Sequence, residues 1–266
     1  MNQDYRPLFE ALWKDFLNLT PSAMRIHQLL GGGEQVINDH IALRTYGDPR
    51  VDLPKLAQHF EAVGYQCCGD YHFAQKKLRA HHYEHPDPEA PKVFISELIL
   101  EECSDELQQR VAELLEGVDA SVTESPEFLW SGAPWQASIE TYQSLLKESE
   151  YAAWLAAFGF RANHFTVDVN RLTNFASLEE VNQTLSGAGF PLNLSGGAIK
   201  GSPEVLLEQS SILADPVEVH FSDGASTIPG CFYEFARRYP KADGELYTGF
   251  VAASADKLFE STDTQS

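Results

Sequence analysis

The stretch Asn38-Asp39-His40-Ile41-Ala42-Leu43-Arg44-Thr45 decides how this chain is read, because it has the composition of a strand and carries a metal-ligand type and a cation. Strand side chains alternate, so His40, Ala42 and Arg44 point one way while Ile41, Leu43 and Thr45 point the other. A neutral imidazole and a guanidinium on either side of a small alanine can hold a metal and an anionic ligand side by side. That describes a pocket wall rather than a core face. Further along, Ala162-Asn163-His164-Phe165-Thr166-Val167-Asp168-Val169 repeats the pattern of an Asn-containing entry, a His and a strand-forming run. Two His-bearing strands half a chain apart point to a duplication.

Outward from these strands the pattern reads β, α, β, β, β. The His40 strand is followed by a helix from Leu53 to Val63 stopped at Gly64, then by strands near 65–73, 77–84 and 93–100. The second unit starts at Asn163, with a helix from Ser177 to Ser186 and strand candidates at 205–214, 216–221 and 228–238. The expected organisation is therefore α+β in a single domain, 1–266, with two βαβββ modules at 36–100 and 161–238. A helical N-terminal cap covers 5–33, where Leu8, Leu12, Trp13 and Phe16 have helical spacing and Gly31-Gly32-Gly33 ends a second helix. A helical linker covers 101–160, with one helix from Ser104 to Glu116 and a second helical stretch from Ile139 to Phe158.

Each module ends on a strand of aromatic-then-Glu texture: Val93-Phe94-Ile95-Ser96-Glu97-Leu98 in the first, and Gly230-Cys231-Phe232-Tyr233-Glu234-Phe235-Ala236-Arg237-Arg238 in the second. This pairs His40 with Glu97 as it pairs His164 with Glu234. Two imidazoles and one carboxylate on separate strands, with coordination positions left open, suit a non-haem Fe(II) oxygenase. Either histidine alone reads more readily as a hydrogen-bonded core residue than as a ligand. Glu234, an acid on an apolar strand that is costly to bury unpaired, shifts the balance toward a site. Arg44 has a bland reading too, as an ion-pair partner of Asp39 or Glu97. His81 and His82, beside His85, precede Pro86-Asp87-Pro88-Glu89 and read as a strand end and turn, with His81 or His82 able to face the cavity as a lesser ligand candidate. His220, also on an expected strand, is the main competitor for a metal position. Asn193-Leu194-Ser195-Gly196-Gly197 reads as an ordinary connection, and no Gly-x-Ser-x-Gly nucleophile elbow or phosphate-binding glycine motif occurs.

The 266 residues carry a net charge of −20, from 19 basic and 39 acidic side chains, which argues against nucleic acid or an anionic membrane as the main partner. A small acidic substrate stays compatible if a cation such as Arg44 or a metal offsets the field locally. The four cysteines, Cys67, Cys68, Cys103 and Cys231, show no paired zinc spacing, and the adjacent pair reads as reduced, partly buried thiols on opposite strand faces. No apolar run approaches the ~20 residues of a membrane span. Met1-Asn2-Gln3-Asp4 does not open a signal peptide, so the expected location is cytoplasmic.

Taken together, Asp39-His40-Ile41-Ala42-Leu43-Arg44-Thr45, the Asn163-His164 strand, Gly230-Cys231-Phe232-Tyr233-Glu234-Phe235 and the stretch from Gly249-Phe250-Val251 to Glu260-Ser261-Thr262 resemble the 2-oxoadipate dioxygenase/decarboxylase family, also called 2-hydroxyglutarate synthases. The resemblance runs from about residue 5 to 262. It implies a vicinal-oxygen-chelate-like fold, a cupped mixed sheet around a metal site with added helices. It implies Fe(II) held by His40, His164 and Glu234, with Arg44 binding the substrate's carboxylate and Val251 beside the substrate through backbone groups. The implied reaction converts 2-oxoadipate and dioxygen to 2-hydroxyglutarate and carbon dioxide in lysine breakdown, without separate 2-oxoglutarate. A glyoxalase-like metal isomerase or hydrolase on the same modules is the alternative, and it gains if Glu97 or His220 supplies a fourth ligand. A non-catalytic binding module is marked by a lost ligand, and none of the three is lost.

Overall fold

Helix α1 (Arg6–Leu19) turns Leu8, Phe9, Leu12, Phe16 and Leu19 to one side, and α2 (Ser22–Gly31) does the same with Ala23, Ile26 and Leu30. These stripes cannot stay in water, and they bury against the back of a sheet. The computed structural model describes residues 4–33 and 35–262. After the two helices come β1 (Asn38–Tyr46), α3 (Leu53–Ala62), β2 (Gln66–Phe73), β3 (Leu78–Glu84) and β4 (Lys92–Leu98). The middle of the chain is helical, with α4 (Asp105–Leu115), α5 (Ile139–Leu146) and α6 (Glu150–Phe158). Then follow β5 (Ala162–Asp168), α7 (Leu178–Gly187), β6 (Lys200–Ser202), β7 (Leu207–Ser211), β8 (Pro216–Phe221), β9 (Gly224–Pro229), β10 (Phe232–Arg238) and α8 (Ala252–Leu258). A 3-10 turn, Phe259–Thr262, follows α8.

The main sheet has eight strands in the order β2-β3-β4-β1-β5-β10-β7-β6. Its pairings mix parallel (β1 with β4, β5 with β10) and antiparallel, and the two halves meet antiparallel at β1 and β5. The sheet curls around its concave face, as the expected cupped mixed sheet requires. Its convex face carries the apolar contacts of α1: the Phe16 and Phe165 ring centroids lie 4.9 Å apart, and Trp13 meets Phe165 edge-on at 5.0 Å. Phe16, Phe165 and Tyr233 are all sealed from solvent, and burying an aromatic of this kind contributes about 1.5–3 kcal/mol. Helix α6 is buried on nearly every side and stands at one end of the concave side. Its Tyr151 hydroxyl donates to the Ser96 carbonyl at 2.7 Å and accepts from the Thr45 amide at 3.1 Å.

Several boundaries differ from the sequence expectation for local reasons. The single stretch 139–158 is two helices, because Ser149 leaves helical geometry and its hydroxyl accepts from the Ala152 amide to start α6 afresh. The candidate strand 205–214 shrinks to β7, since Pro203–Val205 form a 3-10 turn and Leu206 sits at φ 63°. The stretch 228–238 is cut at Gly230, where a Cβ would stand 2.6 Å from Val217 Cγ2 and 3.1 Å from the Leu19 carbonyl oxygen. That close approach separates β9, which pairs only with β8 in a hairpin of its own, from β10 in the main sheet. The β2 register shifts between Cys67 and Gly69, and both Cys67 and Cys68 are exposed rather than partly buried, as free thiols.

The Ser149 cap gives a direct check. Replacing Ser149 with Ala should lower unfolding stability by about 1 kcal/mol in urea titration, with an unchanged denaturant slope.

Candidate metal centre

Register brings the expected ligands together. Across the seam, His40 lies opposite Thr166 and Ala42 opposite His164, so the two histidines are diagonal neighbours on the concave face. On the other side of β5, Glu234 of β10 lies opposite Thr166. One nitrogen from each imidazole and one oxygen of Glu234 all fall within 4.8 Å of one another, and the three residues are buried. His40 Nε2 is 3.4 Å from Glu234 Oε1, and His164 Nε2 is 3.4 Å from Glu234 Oε2.

The preceding residue orients each ring. Asp39 Oδ1 accepts from His40 Nδ1 at 2.7 Å, and Asn163 Oδ1 accepts from His164 Nδ1 at 3.1 Å. Protons fixed on both Nδ1 atoms leave both Nε2 lone pairs directed at the centre, the usual arrangement behind metal-bound histidine. Thr166 Oγ1 meets His40 Nε2 at 3.0 Å. Asp39 is itself clamped by Arg238, whose Nε and Nη2 lie 2.6 and 2.8 Å from its two oxygens. Arg238 Nη1 reaches on to the Tyr247 and Gly249 carbonyls at 3.1 and 2.8 Å. One guanidinium thus ties the imidazole-orienting acid to the backbone just before Phe250.

The charge balance favours a cation. Arg238 and His40 hold the Asp39 carboxyl well below the usual carboxylate range even though burial opposes it. Burial pushes Glu234 up to about 8, only partly relieved by Gln209, whose amide donates to Oε1 at 2.6 Å. Burial also drives His164 well down, with the charges of His40 and Arg44 adding to the effect. Among the described residues, Glu234 Oε2 accepts no hydrogen bond. A buried carboxylate oxygen with no donor, beside two imidazole nitrogens directed at the same centre, fits a divalent metal.

The surrounding wall is apolar. His40, Phe94, His164, Gln209, Glu234 and Phe250, with Ala255, Leu258 and Phe259, line a cavity of about 20 Å³, room for a single water. Phe94 sits two positions beyond Lys92, the residue opposite His40, just as Glu234 sits two beyond Phe232, the residue opposite His164. The positional counterpart of Glu234 in the first half is therefore Phe94, not Glu97.

The other sequence candidates fall elsewhere. Glu97 shares the face of Thr45, where it accepts from the Leu53 amide at 2.7 Å and pairs with Arg79. His220 is exposed on the β8–β9 hairpin, so neither it nor Glu97 completes a fourth ligand. His81 pairs with Asp70 at 3.1 Å. His82 is buried on the concave face but bonds to the Tyr71 hydroxyl and Glu84, its ring 5.3 Å from Phe250. Arg44 is buried on the same face as His40, and its partner is neither Asp39 nor Glu97. Its Nη1 donates to Glu150 Oε1 at 3.2 Å and its Nη2 to Thr262 Oγ1 at 3.1 Å. Val251 starts α8, its carbonyl accepting from the Ser254 and Ala255 amides at 3.0 Å. Sequence reasoning passed over Arg238, Gln209, Phe94 and Phe250. Arg238 left one signal, a charged residue ending an apolar strand.

Fold and site define a class, a cupped mixed sheet presenting two histidines and one carboxylate from separate strands. Residues 4–245 match the family model described as 2-oxoadipate dioxygenase/decarboxylase. The chain is 32% identical to the chloroplastic/amyloplastic 2-oxoadipate dioxygenase/decarboxylase of Oryza sativa subsp. japonica, over 97% of this chain and 78% of that protein. It is also 32% identical to the chloroplastic enzyme of Arabidopsis thaliana, over 97% and 77%. Among solved structures, the Oryza sativa hydroxyglutarate synthase in complex with 2-oxoadipate superposes with a TM-score of 0.93 at 31% identity, covering 98% of this chain and 92% of that one. A Shewanella frigidimarina protein solved under a hydrolase label superposes at 0.91 with 60% identity, covering 95% and 100%. The chain belongs to the 2-oxoadipate dioxygenase/decarboxylase family. Among its described residues, no helix is long and apolar enough to cross a membrane.

The Asp39–Arg238 clamp should matter to metal retention. Asp39→Asn should weaken divalent-metal binding by roughly 10- to 100-fold in a chelator-competition titration, the usual range for groups that orient a ligand histidine.

Proposed function

We propose that this protein converts 2-oxoadipate and dioxygen to 2-hydroxyglutarate and carbon dioxide in lysine breakdown, with Fe(II) held by His40, His164 and Glu234. The observation that carries the reading is the buried Glu234 carboxylate, with one oxygen unbonded and two imidazole Nε2 atoms each 3.4 Å from it. Family membership supplies the substrate class, and two nitrogens with one carboxylate suit Fe(II) with open positions. Bound there, Fe(II) supplies Lewis acidity and the electrons for dioxygen chemistry. The overall reaction balances. The original carboxyl leaves as carbon dioxide, one oxygen atom completes a new carboxylate at the former keto carbon, and the other becomes the hydroxyl on the next carbon.

The chain's own residues do the rest. Asp39 and Asn163 keep both Nε2 atoms unprotonated. Arg44, four residues along β1 from His40, fixes the substrate's distant carboxylate and so sets which carbon faces the centre. Val251 has its carbonyl engaged within α8, so its amide is the backbone group it offers. Phe94, Phe250, Leu258 and Phe259 exclude water during reaction. A cavity of about 20 Å³ is smaller than a six-carbon acid, so binding needs its apolar lining to open.

The alternative, isomerase or hydrolase chemistry, has in its favour the hydrolase label of the 60% identical Shewanella protein. Oxygen dependence separates the two. Protein loaded anaerobically with Fe(II) should take up dioxygen on addition of 2-oxoadipate and release carbon dioxide in equal amount. Silence with a range of 2-oxo acids, or turnover without dioxygen on Zn(II), Ni(II) or Co(II), overturns the reading.

Metal should also stabilise the fold through Glu234. At a hundredfold excess over its dissociation constant it should add about 2.7 kcal/mol, seen as a raised Tm, and Glu234→Gln should abolish that gain along with oxygen uptake.

A further inference from the structure

Arg44 is 1% exposed, enclosed by Tyr151, Trp154 and Phe259, whose ring centroids lie 5.0, 5.1 and 5.7 Å from Cζ. A guanidinium so enclosed needs an anion, and the chain already provides one. Glu150, at the start of α6, places Oε1 3.2 Å from Nη1. The Thr262 hydroxyl accepts from Nη2 and donates to that same Glu150 oxygen. Yet the fit is incomplete, since Arg44 Nε is buried with no hydrogen-bond partner among the described residues. One more acceptor can be taken.

The position of Glu150 is equally informative. A cavity of about 180 Å³ adjoins it, bounded by Lys76, Lys77, Glu150, Tyr151 and Phe259. Phe259 borders both this cavity and the one at His40, His164 and Glu234. The Glu150 side chain is 22% exposed, so it has an open space into which it can swing, lined by Lys76 and by the Lys77–Glu148 ion pair. Arg44 has none.

We propose that Glu150 is a specificity-determining residue: its carboxylate occupies, at Arg44, the place that an acidic substrate tail takes, and a dicarboxylate binds by displacing it into the adjoining cavity. The inference rests on the reading that Arg44 meets the substrate's distant carboxylate. It makes selectivity for an acidic tail a difference between two carboxylates competing for one guanidinium. A 2-oxo acid with a neutral tail leaves Glu150 in place and gains nothing from Arg44.

The test compares 2-oxoadipate with 2-oxohexanoate, the same length without the tail charge. Binding to the Fe(II)-loaded protein is measured by calorimetry without dioxygen, and KM is measured with it. In Glu150→Gln the affinity ratio in favour of 2-oxoadipate should rise roughly tenfold, because the competing charge is gone while Arg44 remains. Thr262→Val, which removes the hydroxyl tethering Glu150, should move the ratio the same way by a smaller factor, and it carries the test if the first variant does not fold. Weakening of both acids together, the mark of a purely structural partner for Arg44, overturns the proposal, as does an unmoved ratio. If neither acid is turned over but the binding ratio still rises, the dioxygenase reading falls and this one stands. If turnover is normal and the ratio does not move, the reverse holds.

Discussion

A carboxylate with no Lys or Arg in direct contact, only the more distant charges of Arg238 and Lys200, sits at the middle of this molecule. Glu234 is fully buried on β10, with aromatic neighbours Phe232, Tyr233 and Phe235 in the same strand. Enclosing an ionised acid costs several kcal/mol unless a cation or a set of donors meets it, and here Gln209 satisfies one oxygen only. Asp39 is just as deeply buried, but Arg238 grips both its oxygens. The contrast between the two acids separates a structural charge from a functional one. Asp39 is neutralised within the protein and spends its remaining interaction on the Nδ1 of His40. Glu234 is left for something from outside.

The first strand and the paired His motif were readable because local sequence determines them. Alternation put His40 and Arg44 on one face, and the register keeps them there. What could not be read is set by contacts distant in sequence. Glu97 copied the texture around Glu234 and misled, since texture does not reveal register, and its side chain lies on the face of Thr45, where the α3 N-terminus needs an acceptor. Arg238 stands 199 residues from Asp39, beyond the reach of any periodicity. The partner of Arg44 proved to be Glu150, an acid that the single-helix reading of 139–158 hid inside a helix. The split at Ser149 sets Glu150 in the first turn of a new helix, where an acidic side chain is favoured and can face Arg44.

The two halves of the sheet are alike in strand order and unlike in chemistry. Where the second half offers Glu234, the first offers Phe94. Where β1 carries Arg44 four residues beyond its histidine, β5 carries Asp168, which burial and Asp39 push up to about 6. A glutamate in place of Phe94 would set two acids against the same pair of histidines, at an added desolvation cost. The asymmetry divides the work. One half supplies an acid, the other an aromatic wall and a cation, and each gives one histidine.

The seam itself enforces this division. Antiparallel pairing sets His40 against Thr166 and Ala42 against His164, which brings the imidazole centroids to 5.7 Å in an edge-to-face arrangement. A slip of one residue between β1 and β5 would turn one histidine to the convex face, into the aromatic contacts of α1. The apolar register that buries Ile41, Phe165 and Tyr233 behind the sheet therefore also positions the ligands in front of it. The ligand geometry cannot be lost without unpacking the core against α1, so the packing that stabilises the fold is also what assembles the site.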